Sequence, residues 1–318
     1  MASSALLLKQ TLKRNSMSLK LKDIGEFGLI DIIRKSVRPS KGVVVGIGDD
    51  AAVLESTGKD LVLLTTDMLE SGVHFTKKTR PQEVGHKALG ASISDIAAMG
   101  GLPTYAVVSL GAPASLPVSY VKNLLKGIDK LAKPFGIVLV GGDMIRSQKI
   151  VINVGLLGRV KKKDLIKRDG AKKGDLIFLT GRLGGSYKSG KHLTFVPRVK
   201  ESQFLVKKFK PTSMIDISDG LVSDLKHICQ ESRVGAVLYE DRIPRTKGSG
   251  INQALYDGED FELLFTLSKT KARRLRRTRS KFKFYEIGEI TSKKRYLQLV
   301  GERGRHLDLK EKGFDHYR

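Results

Sequence analysis

Four apolar runs of strand length in this chain end in aspartate, and no other feature constrains the fold as much. VVVGIGDD gives Asp49 and Asp50, LVLLTTD gives Asp67, IVLVGGD gives Asp143, and MIDISD gives Asp216 and Asp219. Short runs rich in Val, Ile and Leu read as strands, and the longer segments between them carry helical spacing, so the chain reads as α/β. In the first half, strands are expected at residues 42–46, 61–66, 105–110, 137–140 and 150–157, with helices at 81–99 and 116–135. A polar, basic stretch follows at 159–174. The second block opens with a strand at 176–180 and continues with a strand at 214–217, a helix at 219–232 and a strand at 261–267. A basic helix at 269–282 and strands near 284–290 and 296–300 complete it. We therefore expect domains at 23–160 and 161–318, preceded by an N-terminal extension, residues 1–22.

The placement of the acids matters because the 318 residues hold only 33 Asp and Glu against 58 Lys and Arg, a formal charge of +25. Side chains at strand ends in α/β folds sit on rigid supports facing crevices where ligands bind. A further candidate, Asp95, lies inside the helical pattern HKALGASISDIAAMGG. Aspartate is a poor mid-helix residue, and burying it without a partner is costly, so a cation is expected beside it. Converging carboxylates repel one another unless a hard divalent ion joins them, and an oxygen-only ligand set suits magnesium. Because magnesium bridges carboxylates to substrate phosphates, the pattern points to a nucleotide-phosphate site.

Other chemistries fit poorly. Gly185-Ser-Tyr-Lys-Ser-Gly-Lys191 approaches a P-loop, but His192 replaces the hydroxyl residue and Pro197 interrupts the helix that would follow. Gly46-Ile-Gly48-Asp-Asp-Ala51 approaches the dinucleotide fingerprint, yet it would aim two aspartates at a pyrophosphate. Ser218 has no G-x-S-x-G elbow, so an acyl-transfer triad lacks support. His74, in GVHF, taken alone reads as an ordinary surface or core histidine, and Cys229 as a core residue of a patterned helix. A lone cysteine suits a reducing compartment, and with no apolar run long enough to span a bilayer the expected location is the cytoplasm. The high charge raises nucleic acid as a partner. However, the nine Lys/Arg between Lys269 and Lys283 lack interleaved stacking aromatics, so a solvated helix face is the better reading. Residues 1–22 contain no acid and carry five basic residues, which we read as a disordered tail or a misassigned start, with Met17 as an alternative, in preference to a targeting peptide.

Taken together, the motifs are identifiable. GIGDDAAV (46–53), TTDMLESGVHF (65–75), KALGASISDIAAMGG (87–101), VGGD (140–143), KRDGAKKGD (167–175), IDISDGLVSDLKHI (215–228) and DGEDFELLFT (257–266) occur in the order found in thiamine-monophosphate kinases. The chain thus resembles that family, part of the aminoimidazole-ribonucleotide-synthase-like superfamily of ATP-using proteins, from about Asp23 to the C-terminal GFDHY. The resemblance implies an α/β (α+β) two-domain architecture whose N-terminal domain pairs its sheet across a homodimer. It also implies transfer of the γ-phosphoryl group of ATP to thiamine monophosphate, giving thiamine diphosphate, assisted by Mg2+.

Residue by residue, Asp50, Thr65, Thr66, Asp67, Asp95, Asp143, Asp216 and Asp219 match the family's magnesium positions, with Asp67, Asp143 and Asp216 nearest the chemistry. Gly142, Arg168 and Ser218 match ATP contacts, and His74, Glu259 and Phe314 match positions facing the thiamine phosphate. No residue is expected to act as a general base. Two departures stand out: Asp169 where the family has a small residue, which could draw Arg168 into a local ion pair, and Asp257 where a glycine is common. Selenophosphate synthetases and hydrogenase-maturation dehydratases are disfavoured, since Cys229 is internal and the chain ends FDHYR. An enzyme of the superfamily with another phosphorylated acceptor, and a nucleic-acid-binding protein using the basic C-terminal block, are the alternatives.

Overall fold

The computed structural model describes residues 20–38, 40–294, 296–301, 304–309 and 316–317. Phe314 and most of the expected N-terminal extension lie outside them. The chain divides into two compact units, Met1–Ser40 with Phe314–Arg318, and Lys41–Gly313. In the first, helix α1 (Leu21–Ser36) starts where the Asp23 carboxylate accepts from the Lys20 amide at 2.9 Å, and Gly25, at φ 69°, breaks its helical run. Residues 21 and 22, placed above in the extension, belong to this helix.

The second unit holds two sheets. The first has the order β1 (Val43–Val45), β2 (Ala52–Leu54), β3 (Asp60–Glu70), β6 (Val151–Lys161), β4 (Leu102–Ala112), β5 (Val138–Arg146). Its pairings are antiparallel except β4 with β5. Period-two alternation sends Leu61, Leu63 and Thr65 of β3 inward and leaves Leu64, Thr66 and Met68 on the open face. The second sheet runs β13 (His306–Asp308), β12 (Leu297–Val300), β9 (Gly235–Tyr239), β11 (Tyr285–Thr291), β7 (Leu176–Leu179), β10 (Leu263–Leu267), β8 (Ser213–Asp216). Strand β10 is buried along its whole length, which its unbroken apolar character requires. The expected domain boundary falls between the two sheets in sequence, although both sheets lie in one compact unit.

Helix α2 (Pro81–Ala98) is the central element. Its sequence is small or apolar nearly all round, which suits a helix enclosed by protein, and 13 residues from Val84 to Ala98 are buried. One side lies on β3 and β6, another on α3 (Val118–Ala132), and a third on β8 of the second sheet. Contact with α3 combines a Gln82 Nε2 to Asn123 Oδ1 hydrogen bond at 3.1 Å with close backbone approach at two glycines. A Cβ on Gly85 would lie 2.1 Å from the Leu124 carbonyl oxygen, and one on Gly127 would lie 2.0 Å from that of Gln82. Three further helices, α4 (Ser186–Ser189), α5 (Lys191–Thr194) and α6 (Val199–Lys208), follow β7. The two single-turn helices are not the long helix a P-loop requires. Helix α7 (Leu221–Glu231) follows β8, α8 (Ile251–Tyr256) precedes β10, and α9 (Lys269–Arg277) follows it.

The structure differs from the expected elements in a few places. Strand β5 continues through Gly141 and Gly142 to Arg146, because paired backbone tolerates glycine where β4 approaches closely. Helix α6 and strand β9 were not expected. The basic helix stops at Arg277, and Phe282 joins Phe204 and Phe284 in an aromatic cluster instead of extending its apolar face. Only Ala272 and Leu275 of α9 are buried, as a solvated basic face requires, and Lys269 and Arg276 pair with Glu289 and Glu286. No helix of the described residues is long and apolar enough to cross a membrane.

Candidate active site

Helix geometry brings the acids together. At 100° per residue, Ser92 and Ser94 point to nearly opposite sides of α2, and Asp95 lies between them. Ser92 accordingly donates to Asp67 Oδ2 on β3 at 2.8 Å, and Ser94 to Asp216 Oδ2 on β8 at 2.6 Å. Thr65, one turn of the pleat before Asp67, donates to Asp95 Oδ2 at 2.5 Å. Oxygens of Asp50, Asp95 and Asp216 all lie within 4.8 Å of one another. The segment after β1 supplies Asp50, whose Oδ1 accepts from Arg168 Nη2 at 2.8 Å, while the Arg168 backbone N–H donates to Asp49.

These carboxyls resist ionisation. Burial first, and then the neighbouring Asp50 charge, push Asp49 up to about 7. Burial and Asp50 push Asp216 up to about 8, and burial raises Asp50 and Asp67 as well. Asp95 is also raised, well above the usual carboxylate range, by burial and then by Asp67, Asp216 and Asp50. The cation expected beside Asp95 is not a side chain, since no lysine or arginine among the described residues pairs with it. Asp50 Oδ2 is buried with no hydrogen-bond partner. An orphaned oxygen in an oxygen-only cluster is the donor set a hard divalent cation takes.

A second group lies next to the first. Asp219, Asp224 and His227 bring ligand-type atoms within 4.8 Å of one another at the start of α7. Asp224, buried, accepts from the Asp219 and Gly220 amides at 3.2 and 3.1 Å and so fixes the turn carrying Ser218 and Asp219. Burial, and then Asp219, hold Asp224 well above the usual range. Ser218 passes the chain onward: its carbonyl accepts from Glu259 N at 2.7 Å.

Two sequence-derived ligands are not gathered. Thr66 alternates with Thr65 and Asp67, so its side chain points to the open face and exchanges hydrogen bonds with Asn153. Asp143 is also displaced. It pairs in register with Ser109, which pairs with Asn153, which pairs with Met68, placing it in an open-face row with β6 and β4 between it and β3. Within this chain it therefore cannot join Asp67, whose own row runs through Val154 and Val108 to Gly142. A Cβ on Gly142 would lie 1.8 Å from the Val108 oxygen, so the glycine is required by strand contact. Gly142 and Asp143 line a cavity of about 420 Å³ with Leu124 and Leu125 of α3 and Leu139.

The departures take defined places. Asp169 pairs with Lys167 at 2.9 Å and leaves Arg168 to Asp50, so the diversion of Arg168 does not occur. Asp257 accepts from Gly185 N at 3.1 Å and anchors the glycine-rich turn.

His74 and Glu259 meet through a residue that sequence reasoning passed over. Lys87 on α2 is fully buried and donates to the His74 carbonyl at 2.7 Å and to Glu259 Oε1 at 2.5 Å. A lysine in an otherwise small and apolar helix face was the available signal. Ser92 and Ser94 were visible too, as hydroxyls flanking Asp95. Cys229 is a buried core residue, its thiol pushed up to about 12 by burial.

Comparison with known proteins places this geometry. A family model described as AIR synthase related protein, N-terminal domain, matches residues 48–160, and another described as AIR synthase related protein, C-terminal domain, matches residues 137–299. The thiamine-monophosphate kinase of Aquifex aeolicus is 36% identical over 281 residues, 80% of this chain and 89% of that protein. That of Buchnera aphidicola subsp. Schizaphis graminum is 34% identical over 324 residues, covering 93% of this chain and 99% of its own. The solved structure of AaThiL complexed with AMPPCP and TMP matches with a TM-score of 0.82 at 33% identity, over 94% of this chain and 99% of that one. With both halves matched and the alignments nearly full length, the chain belongs to the thiamine-monophosphate kinase family of AIR synthase related proteins and has their two-domain mixed α/β fold.

Proposed function

We propose that this chain phosphorylates thiamine monophosphate with ATP in the presence of magnesium, giving thiamine diphosphate and ADP. One observation carries the reading: three carboxylates from three separate segments, Asp50 and Asp216 buried and Asp95 half-buried, converge within 4.8 Å, with an orphaned oxygen among them. Relatives named for this activity and the AaThiL complex with AMPPCP and TMP support the choice of substrates. Asp50, Asp95 and Asp216, with Asp67 and the Thr65 hydroxyl beside them, would hold magnesium, and Asp219 would serve a neighbouring position. Bound there, magnesium supplies the positive charge that lets two phosphate groups approach.

The acceptor is a phosphate monoester whose second pKa is about 6, so its oxygen is already a nucleophile at neutral pH. That oxygen forms a bond to the γ-phosphorus while the bond from the γ-phosphorus to the β,γ-bridging oxygen breaks, and ADP leaves. No side chain needs to remove a proton. Arg168 offers a guanidinium to phosphate oxygens from its place beside Asp50, and Ser218 lies on the same turn as Asp219. The apolar cavity beside Gly142 suits the nucleotide base. His74 and Glu259 face the acceptor.

A homodimer belongs to the same reading. Leu64, Leu157, Tyr105 and Val138 form one cross-strand row of exposed apolar side chains on the open face, a surface suited to a second copy. Asp143 lies on that face and so is available to the interface. The single cysteine, buried and reduced, supports a cytoplasmic location.

The test is a coupled ADP-release assay with ATP and magnesium, with and without thiamine monophosphate, followed by identification of the product. ADP release that depends on the acceptor and matches thiamine diphosphate formed is the expected result. ADP without that product would overturn the acceptor assignment.

A further inference from the structure

Lys87 is the buried cation nearest the acceptor residues, and nothing in the phosphoryl transfer itself uses it. Lysine is almost never fully buried unless paired, and burial pulls its pKa down while Glu259 pushes it back up. Two of its three N–H donors are spent on two loops that are far apart in sequence. One goes to the His74 carbonyl in the turn after β3, and the other to Glu259 in the loop before β10.

Both loops are otherwise fixed by their own backbone. His74 Nδ1 accepts from the Glu70 amide at 3.0 Å, which leaves the ring proton on Nε2. Glu259 sits at φ 63° and Phe261 at φ 49°, left-handed conformations that non-glycine residues hold only when their surroundings enforce them. Glu259 N donates to the Ser218 carbonyl, its own carbonyl accepts from Ser186 Oγ at 2.7 Å, and Phe261 N donates to the Ile217 carbonyl. The Glu259 backbone is thus locked, while its carboxylate remains a quarter exposed and depends on Lys87 for its direction.

We propose that Lys87 is a positioning residue for the acceptor: its buried ammonium aims the Glu259 carboxylate and ties the His74 turn to it, so that both present one preset surface to thiamine monophosphate. This inference rests on the functional reading above. The charge acts through Glu259 and His74 and does not touch the nucleotide end of the site.

The experiment is steady-state kinetics of the full chain, following thiamine diphosphate, with both KM values measured for the wild type and for Lys87→Met. The expected result is a KM for thiamine monophosphate raised by about 10-fold or more, with the KM for ATP within about 2-fold of wild type. Lys87→Gln keeps two N–H donors in the slot without the charge, so its KM for the acceptor should fall between wild type and Lys87→Met. If Lys87→Met does not fold, Lys87→Gln against wild type carries the same comparison, and a selective rise of about 3-fold or more is expected. A lowered melting temperature with both KM values moving together would mark Lys87 as merely structural and overturn the inference. Wild-type product formation with an unchanged acceptor KM in the variants would also overturn it while leaving the function intact. A wild type that makes no thiamine diphosphate would overturn the functional reading and this inference with it.

Discussion

Asp216 meets two opposed demands, and one atom separates them. Without a cation its buried carboxyl is forced toward the protonated form, with its pKa at about 8, yet a metal-binding role requires the charge. Asp216→Asn keeps an acceptor for Ser94 and removes the repulsion. We expect the metal-free variant to melt at the same temperature as wild type or about 2–4 °C higher, and its turnover to fall by about 100-fold or more. Circular dichroism melts and the coupled assay check the two halves, and near-normal turnover at saturating magnesium would remove Asp216 from the site. Ser94→Ala should keep most of the turnover and cost about 1 kcal/mol of stability, because it deletes one hydrogen bond and leaves the carboxylate in place. Urea titration of the two proteins measures that difference. At this scale the sequence marked Asp50, Asp67 and Asp216 because several apolar strand-like runs end in aspartate, and the structure sets Asp50 and Asp216 in one carboxylate group with Asp67 beside it. Thr66 and Asp143 show the limit of that reasoning. Adjacency in a motif does not say which face of the pleat a side chain takes, and one residue of offset reverses it.

Helix α2 approaches α3 closely where the two helices carry Gly85 and Gly127. With a Cβ 2.1 Å from the Leu124 oxygen, Gly85→Ala must separate the two helices. A loss of about 3 kcal/mol is expected, read as a lower urea midpoint at unchanged slope. An unchanged midpoint would show that the contact between the helices is loose. The helix itself was legible, 81–99 against Pro81–Ala98, because its start carries Pro81 and its end Gly100. Its sandwiching between two sheets was only half legible. Small residues all round announce burial, but they do not say which strands lie on each side. Short elements such as β9 and α6 escaped because four or five apolar residues give no period to measure.

The whole molecule places several buried acids together, and its stability should follow their protonation. Asp49 and Asp216 titrate near 4 when unfolded and at about 7 and about 8 when folded, so between those values the folded chain holds protons that the unfolded chain releases. Their contribution is therefore complete below about pH 4 and is lost as pH rises toward 8. We expect the metal-free melting temperature to fall from pH 5 to pH 8, and magnesium to raise it more at pH 8 than at pH 6. Scanning calorimetry with and without the ion decides this; a metal-free profile that is flat or rises with pH would mean that burial does not hold these acids protonated. On the open face, Val107 is exposed two residues after Tyr105 on β4, and Val107→Glu should convert a dimer into monomers in light scattering, whereas a wild-type monomer would remove that part of the proposal.

The sequence by itself determined the two-block α/β order, the four strand-like runs that end in aspartate and the central helix, and the family to which the chain belongs. These are local properties, written in strand-length apolar runs, helical spacing and ordered motifs. Only the tertiary structure decided which acids share a cluster, that Arg168 turns to Asp50, and that Lys87 joins His74 to Glu259. Those contacts span 118 residues from Asp50 to Arg168 and 172 from Lys87 to Glu259, and no local pattern records which distant segments the packing of α2 between two sheets will bring together.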